Sequence, residues 1–122
     1  MKVTEAQFQR TVIAAAQAFG WKVAHFRPGM SSKGKWMTAV AGNGAGFPDL
    51  VLVHPGRRRG VLFVELKSDT GKIEPPQEEW RDWLINSGVP WVLWRPKDWT
   101  VVENFLRTYG TEGDKHARAA KA

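Results

Sequence analysis

Gly46 Phe47 Pro48 Asp49 Leu50 Val51 Leu52 Val53, then His54 Pro55 Gly56 Arg57 Arg58 Arg59 Gly60, then Val61 Leu62 Phe63 Val64 Glu65 Leu66 Lys67, is the stretch on which the fold turns. Two apolar, β-rich runs around a basic loop containing Pro and Gly predict an antiparallel hairpin. A symmetric hairpin centred on Arg57 sets Asp49 opposite Glu65, eight residues to either side. Carboxylates opposed on neighbouring strands lie about 5 Å apart and repel, a cost that a divalent cation between them offsets. Because side chains alternate along a strand, Glu65 and Lys67 share one face, while Leu62, Val64 and Leu66 line the other and are expected to pack under a helix. Magnesium is usually held by one or two carboxylates together with waters and substrate phosphates, so this pair needs no histidine to suit it.

Working outward, Thr4 and Gln7 form a capping-box pattern, and Phe8, Val12, Ala15, Ala16 and Phe19 recur at helical spacing up to Gly20. A helix over about residues 4–19 is expected. Trp21 to Arg27 reads as a strand ended by Pro28. Residues 28–46, PGMSSKGKWMTAVAGNGAG, are rich in Gly and Ser, which predicts a mobile functional loop with a short strand around Trp36 to Val40. Downstream, Pro75 and Pro76 suit the opening of a helix over about residues 75–87, with Gln77, Trp80, Leu84 and Ser87 on one face and Gly88 at its end. Val89 to Arg95 is a further strand, and Thr100 to Tyr109 is a last helix with Asp98 as its expected cap. Trp80, Trp83, Trp91 and Trp94 lie on these periodic elements and are expected in core and edge packing.

The chain has 122 residues, 18 Lys and Arg against 12 Asp and Glu, a formal net charge of +6 and no cysteine. Its length accommodates one compact domain and excludes a large multidomain enzyme. The lack of cysteine excludes a disulfide framework, a thiolate zinc site and a cysteine nucleophile. The basic balance points to a polyanionic partner, with nucleic acid first. Glu5 stands where a signal peptide needs its apolar run, and no stretch has the length of a membrane span, so a soluble, intracellular protein is expected. Residues 1–109 read as the domain and 110–122 as a basic, flexible tail.

Two further polar residues fall on faces that should be buried. Glu5 continues the stripe of Phe8 and Val12 at the first turn of its helix, and Gln77 precedes Trp80 by three residues at the positive end of its own, where phosphate is attracted. Glu5, Asp49, Glu65, Lys67 and Gln77 are therefore expected to converge on one cleft.

Gly46 Phe47 Pro48 Asp49 Leu50, then Val64 Glu65 Leu66 Lys67, then Gln77 opening a helix, resembles the virus-type replication-repair nuclease domain, VRR-NUC, of the PD-(D/E)xK superfamily. The likeness runs from about Glu5 to Lys97 and is of a stand-alone phage type. It implies an α/β, restriction-endonuclease-like αβββαβ core, with a central mixed sheet flanked by helices. It further implies that Asp49 and Glu65 bind Mg2+ or Mn2+ together with the main-chain carbonyl of Leu66. By the same likeness Lys67 orients or deprotonates the attacking water, Glu5 assists the metal site, and Gln77 positions Lys67 or a phosphate. The implied reaction is metal-dependent endonucleolytic hydrolysis of structured or branched DNA, leaving a 5′-phosphate and a 3′-hydroxyl. One active site per protomer suggests a homodimer for two-strand cuts. The segment Ile73 Glu74 Pro75 Pro76 departs from the Leu-Ser type of lead-in expected before Gln77.

Plainer readings stand beside these. Asp49 could be a turn residue, Glu65 with Lys67 a surface pair, Glu5 a first-turn acid and Gln77 a helix-start residue. Lys33, Lys35 and Trp36 in the Gly-rich loop, Arg57, Arg58 and Arg59 at the hairpin tip, and His25 are the candidate DNA contacts; His54 reads as a loop residue. The alternatives from other classes are a non-catalytic basic DNA-binding module and a nuclease acting on RNA.

Overall fold

The computed structural model describes residues 2–26, 29–30, 36–37 and 41–111. Helix α1 spans Glu5–Ala18. Its start is fixed as the sequence predicts: the Gln7 N–H donates to Thr4 Oγ1 at 3.1 Å, and the Thr4 N–H donates to Gln7 Oε1 at 2.9 Å. Phe8, Val12 and Ala16 form its buried stripe. The chain then turns at Gly20, whose φ of +93° is left-handed and costs a glycine little.

Strand β1 (Lys22–His25) follows, then the two-residue strands β2 (Gly29–Met30) and β3 (Trp36–Met37), which pair antiparallel as a separate ribbon. Strands β4 (Leu50–Val53) and β5 (Val61–Leu66) form the expected hairpin, with Leu50 opposite Val64 and Val53 opposite Val61. That register is the one centred on Arg57. A parallel return needs a crossover, and helix α2 (Pro75–Asn86) supplies it before β6 (Trp91–Trp94) joins β5. A 3-10 turn, Pro96–Asp98, leads into helix α3 (Trp99–Thr108). The four-stranded sheet has the order β1-β4-β5-β6 and is mixed, with helices on both faces.

The core lies between one sheet face and the pair α1, α3. Leu50, Leu52, Leu62, Val64 and Leu66 meet Phe8, Val12, Ala16, Val102, Phe105, Leu106 and Tyr109 there. Buried Trp21 joins them and satisfies its indole by donating to the Leu106 carbonyl at 2.8 Å. On the opposite face, Phe47 packs edge-on against Phe63 of β5 and Trp80 of α2.

Three expectations need correcting. Trp83 is 45% exposed, and α2 has no fully buried residue, because the helix lies along one sheet face with its outer side in solvent. Asp98 occupies the start of α3 but does not cap it; its Oδ2 accepts from the Arg95 N–H at 3.2 Å, closing the 3-10 turn instead. Gln77 does not offer α2's positive end to a phosphate. Pro75 and Pro76 carry no N–H, and the N–H groups of Gln77 and Glu78 both donate to the Glu74 carbonyl, at 2.9 and 3.1 Å. Residues 38–40, predicted to continue the short strand at Trp36, and the tail from residue 112 lie outside the described residues.

Candidate active site

Asp49 immediately precedes β4, one rung beyond the Leu50–Val64 pair, and so faces Glu65 across the open end of the hairpin. Buried Pro48 leads into it. The Asp49 carboxylate is held by the backbone of the partner strand: the Leu66 N–H donates to Oδ2 at 2.8 Å. Its own carbonyl accepts from the Phe26 N–H at 3.2 Å, which ties it to the end of β1.

Glu65 is 1% exposed. Its Oε2 accepts from Gln77 Nε2 at 3.1 Å, while Oε1 is buried with no hydrogen-bond partner. Gln77 is fixed from the other side, its Oε1 accepting from the Glu74 N–H at 2.8 Å. Burial, foremost, pushes the Glu65 carboxyl up to about 9; the neighbouring Asp49 and Glu5 carboxylates add to this, and Lys67 partly offsets it. Glu5, at the first turn of α1, is raised as well, mainly by desolvation and then by Asp49, against the lowering effect of Lys67. Glu5, Asp49, Glu65 and Lys67 thus act on one another at one end of the sheet.

The joint between the hairpin approach and α2 is tight. Gly46 has φ +80°, and a Cβ placed on it would lie 2.3 Å from the Pro76 carbonyl carbon. Beside this joint, a cavity of about 280 Å³ opens between residues 44–48 and α2, with Phe26, Asp49 and Gln77 in its wall.

A carboxylate pair with one orphaned, desolvated oxygen is a poor arrangement for two anions and a good one for a dication. Among the described residues, no three His, Cys, Asp or Glu side chains gather as a metal cage. A cation here would therefore draw on the two carboxylates, a main-chain carbonyl and non-protein oxygens, which is the habit of magnesium.

A family model of the VRR-NUC domain matches residues 9–97. The chain belongs to the VRR-NUC family. VRR-NUC domains are nuclease domains of the restriction-endonuclease-like superfamily. A solved VRR-NUC domain is similar to this chain over 86% of its length and 96% of the other, with a TM-score of 0.57 and 22% identity, a likeness that speaks for the fold. No curated protein gives a significant match. The VRR-NUC match includes Asp49, Glu65, Lys67 and Gln77 but begins after Glu5, whose link to these residues is its electrostatic interaction with Asp49 and Lys67.

The other candidates are more scattered. His25 pairs with Leu50 at the site end of β1, and its ring meets the Gln9 amide. Arg57 lies at the closed end of the hairpin, away from the carboxylates. Its Nη1 donates to the Leu106 carbonyl at 2.8 Å and the Tyr109 carbonyl at 3.2 Å, and its guanidinium sits 5.4 Å from the Trp21 ring centre. Arg57 is thus engaged in closing the end of α3, while Arg58 and Arg59 remain exposed. Lys33 and Lys35 lie outside the described residues, as does the side chain of Trp36. His54 is structural: Nδ1 accepts from the Gly56 N–H at 3.2 Å, which leaves Nε2 to donate to the Phe19 carbonyl at 2.9 Å.

Two features escaped the sequence reading. Gly46 opens the quoted motif, but its close approach to the Pro76 backbone is not visible there, and nothing in the spacing of Arg95 announces its contacts with Ser68 and Gly71.

Proposed function

We propose that this VRR-NUC protein is a metal-dependent endonuclease acting on structured or branched DNA, with Asp49 and Glu65 as metal ligands. The observation that carries the reading is the buried, partnerless Oε1 of Glu65 beside the Asp49 carboxylate. When bound, Mg2+ or Mn2+ supplies positive charge to a phosphoryl oxygen and acidifies water. Asp49 and Glu65 would hold the ion, with the carbonyl of Leu66 as the further main-chain ligand that the family likeness implies. Gln77 keeps the Glu65 carboxylate aimed by donating to Oε2. Lys67, on the Glu65 face of its strand, orients the attacking water or takes its proton. The water oxygen bonds to phosphorus as the bond to the 3′-oxygen breaks, and a proton from water ends on that oxygen, leaving a 5′-phosphate and a 3′-hydroxyl. Glu5 supports the site from α1.

The test is cleavage of end-labelled single-stranded, duplex, flap and four-way-junction DNA, and of matched RNA, in Mg2+, Mn2+ or EDTA. Wild type should cut in metal only, and Asp49→Ala and Glu65→Ala should bind DNA without cutting it. Equal binding and no cleavage by all three proteins would reduce the reading to a DNA-binding module, and preferential cleavage of RNA would change the substrate.

A further inference from the structure

Lys67 follows β5 directly, and Arg95 follows β6, so continuing the parallel register from Leu66–Trp94 sets the two residues side by side. The Lys67 N–H donates to the Trp94 carbonyl at 3.1 Å, extending the ladder past the last assigned rung. Beyond it, the chain makes the turn Ser68–Gly71, closed by a 3.3 Å bond from the Gly71 N–H to the Ser68 carbonyl.

This turn has almost no apolar anchorage, since Asp69 and Thr70 are exposed. What holds it is Arg95. Its Nη1 donates to the carbonyls of both Ser68 and Gly71, each at 2.7 Å. A second tie comes from the Lys97 N–H, which donates to Asp69 Oδ1 at 2.9 Å. The turn so fastened closes on the Lys67 side chain: a Cβ at Gly71 would lie 3.5 Å from Lys67 Cδ and 3.1 Å from Ser68 Oγ. A lysine has four rotatable bonds, and without a wall beside its stem its ammonium sweeps a wide volume.

We propose that Arg95 is a positioning residue for Lys67: by clamping the 68–71 turn it builds the wall that aims the Lys67 ammonium at the carboxylate pair. The proposal rests on the nuclease reading. Charge-assisted bonds to two carbonyls from one planar group suit this work better than a lysine, which presents a point charge.

The experiment compares wild type, Arg95→Ala and Arg95→Lys below their melting temperatures. For Arg95→Ala, kcat should fall about 10-fold while KM changes less than about twofold, since misplacement of a reacting group costs rate rather than binding. Free guanidinium should restore part of the rate, and Arg95→Lys should fall between. In the metal-free proteins, side-chain NMR of Lys67 should show its Cδ and Cε signals averaging toward free-lysine positions in Arg95→Ala, with faster exchange of the Gly71 and Lys97 amides. A lowered melting temperature with unchanged kcat and unchanged Lys67 signals would overturn the proposal. So would a raised KM at unchanged kcat, which would make Arg95 a DNA contact. A wild type that cuts nothing would remove the nuclease reading, and the NMR comparison would still decide whether Arg95 orders Lys67.

Discussion

A carboxyl that is 1% exposed and opposite a second carboxyl works against the fold whenever it is ionised. The pH dependence follows from the direction of its shift. In the unfolded chain Glu65 loses its proton near its ordinary 4.5, whereas in the native protein it holds the proton up to about 9. Between those values the native state carries the extra proton, so stability of the metal-free protein is full at low pH and falls as pH rises toward 9. Glu65→Gln keeps the shape and removes the titration. In EDTA near pH 8, urea unfolding should find this variant more stable than wild type, on the order of 2 kcal/mol, and flatter with pH. The same variant should not cut DNA. An inactive variant that is also less stable at every pH would show that Glu65 serves the fold and not a metal.

Among the elements, α2 is placed by contact with a loop more than by burial. Gly46→Ala forces a Cβ into the Pro76 backbone at a positive φ, and no side-chain rotation relieves a clash with main chain. It should cost about 2 kcal/mol or more in urea unfolding and weaken cleavage by drawing Gln77 off Glu65. Arg57→Ala acts elsewhere: it takes one donor from the Leu106 carbonyl, which keeps the Trp21 indole, and one from the Tyr109 carbonyl, and should cost about 2 kcal/mol while leaving DNA affinity within about twofold. These elements also show how far the sequence was readable. Helix starts at Thr4 and Pro75 and the hairpin register centred on Arg57 follow from local rules, so the Asp49–Glu65 apposition was legible, and with it Lys67 on the Glu65 face. The contacts of Arg57 with the end of α3 are not legible in the sequence, because its partners stand 49 and 52 residues away, a separation no local pattern encodes. The exposure of Trp83 was missed for a related reason: helical periodicity identifies a packing face, but not whether anything covers the flank beside it.

For the molecule as a whole, the charge of +6 predicts binding that is strongly salt-dependent. The logarithm of DNA affinity against the logarithm of NaCl concentration should be linear with a slope of about −4 or steeper if several phosphates are engaged. Light scattering of the complex with a four-way junction should find two protomers, since one site serves one strand. A monomer cutting both strands in succession would exclude that stoichiometry. No helix among the described residues is long and apolar enough to cross a membrane.

The carboxylates sit at the mouth of the β4–β5 hairpin, on the rung just past Leu50 and Val64, while the turn that starts the hairpin is at the other end. A hairpin zips from its turn outward, so the rung that brings Asp49 to Glu65 closes last and, lying at the open end, frays first. The proposed active site is thereby the least cooperative part of the strand pair. Without a cation the mouth can breathe while Leu52 and Leu62 stay locked, and amide exchange at Leu66 should outpace that at Leu62 until Mg2+ is added.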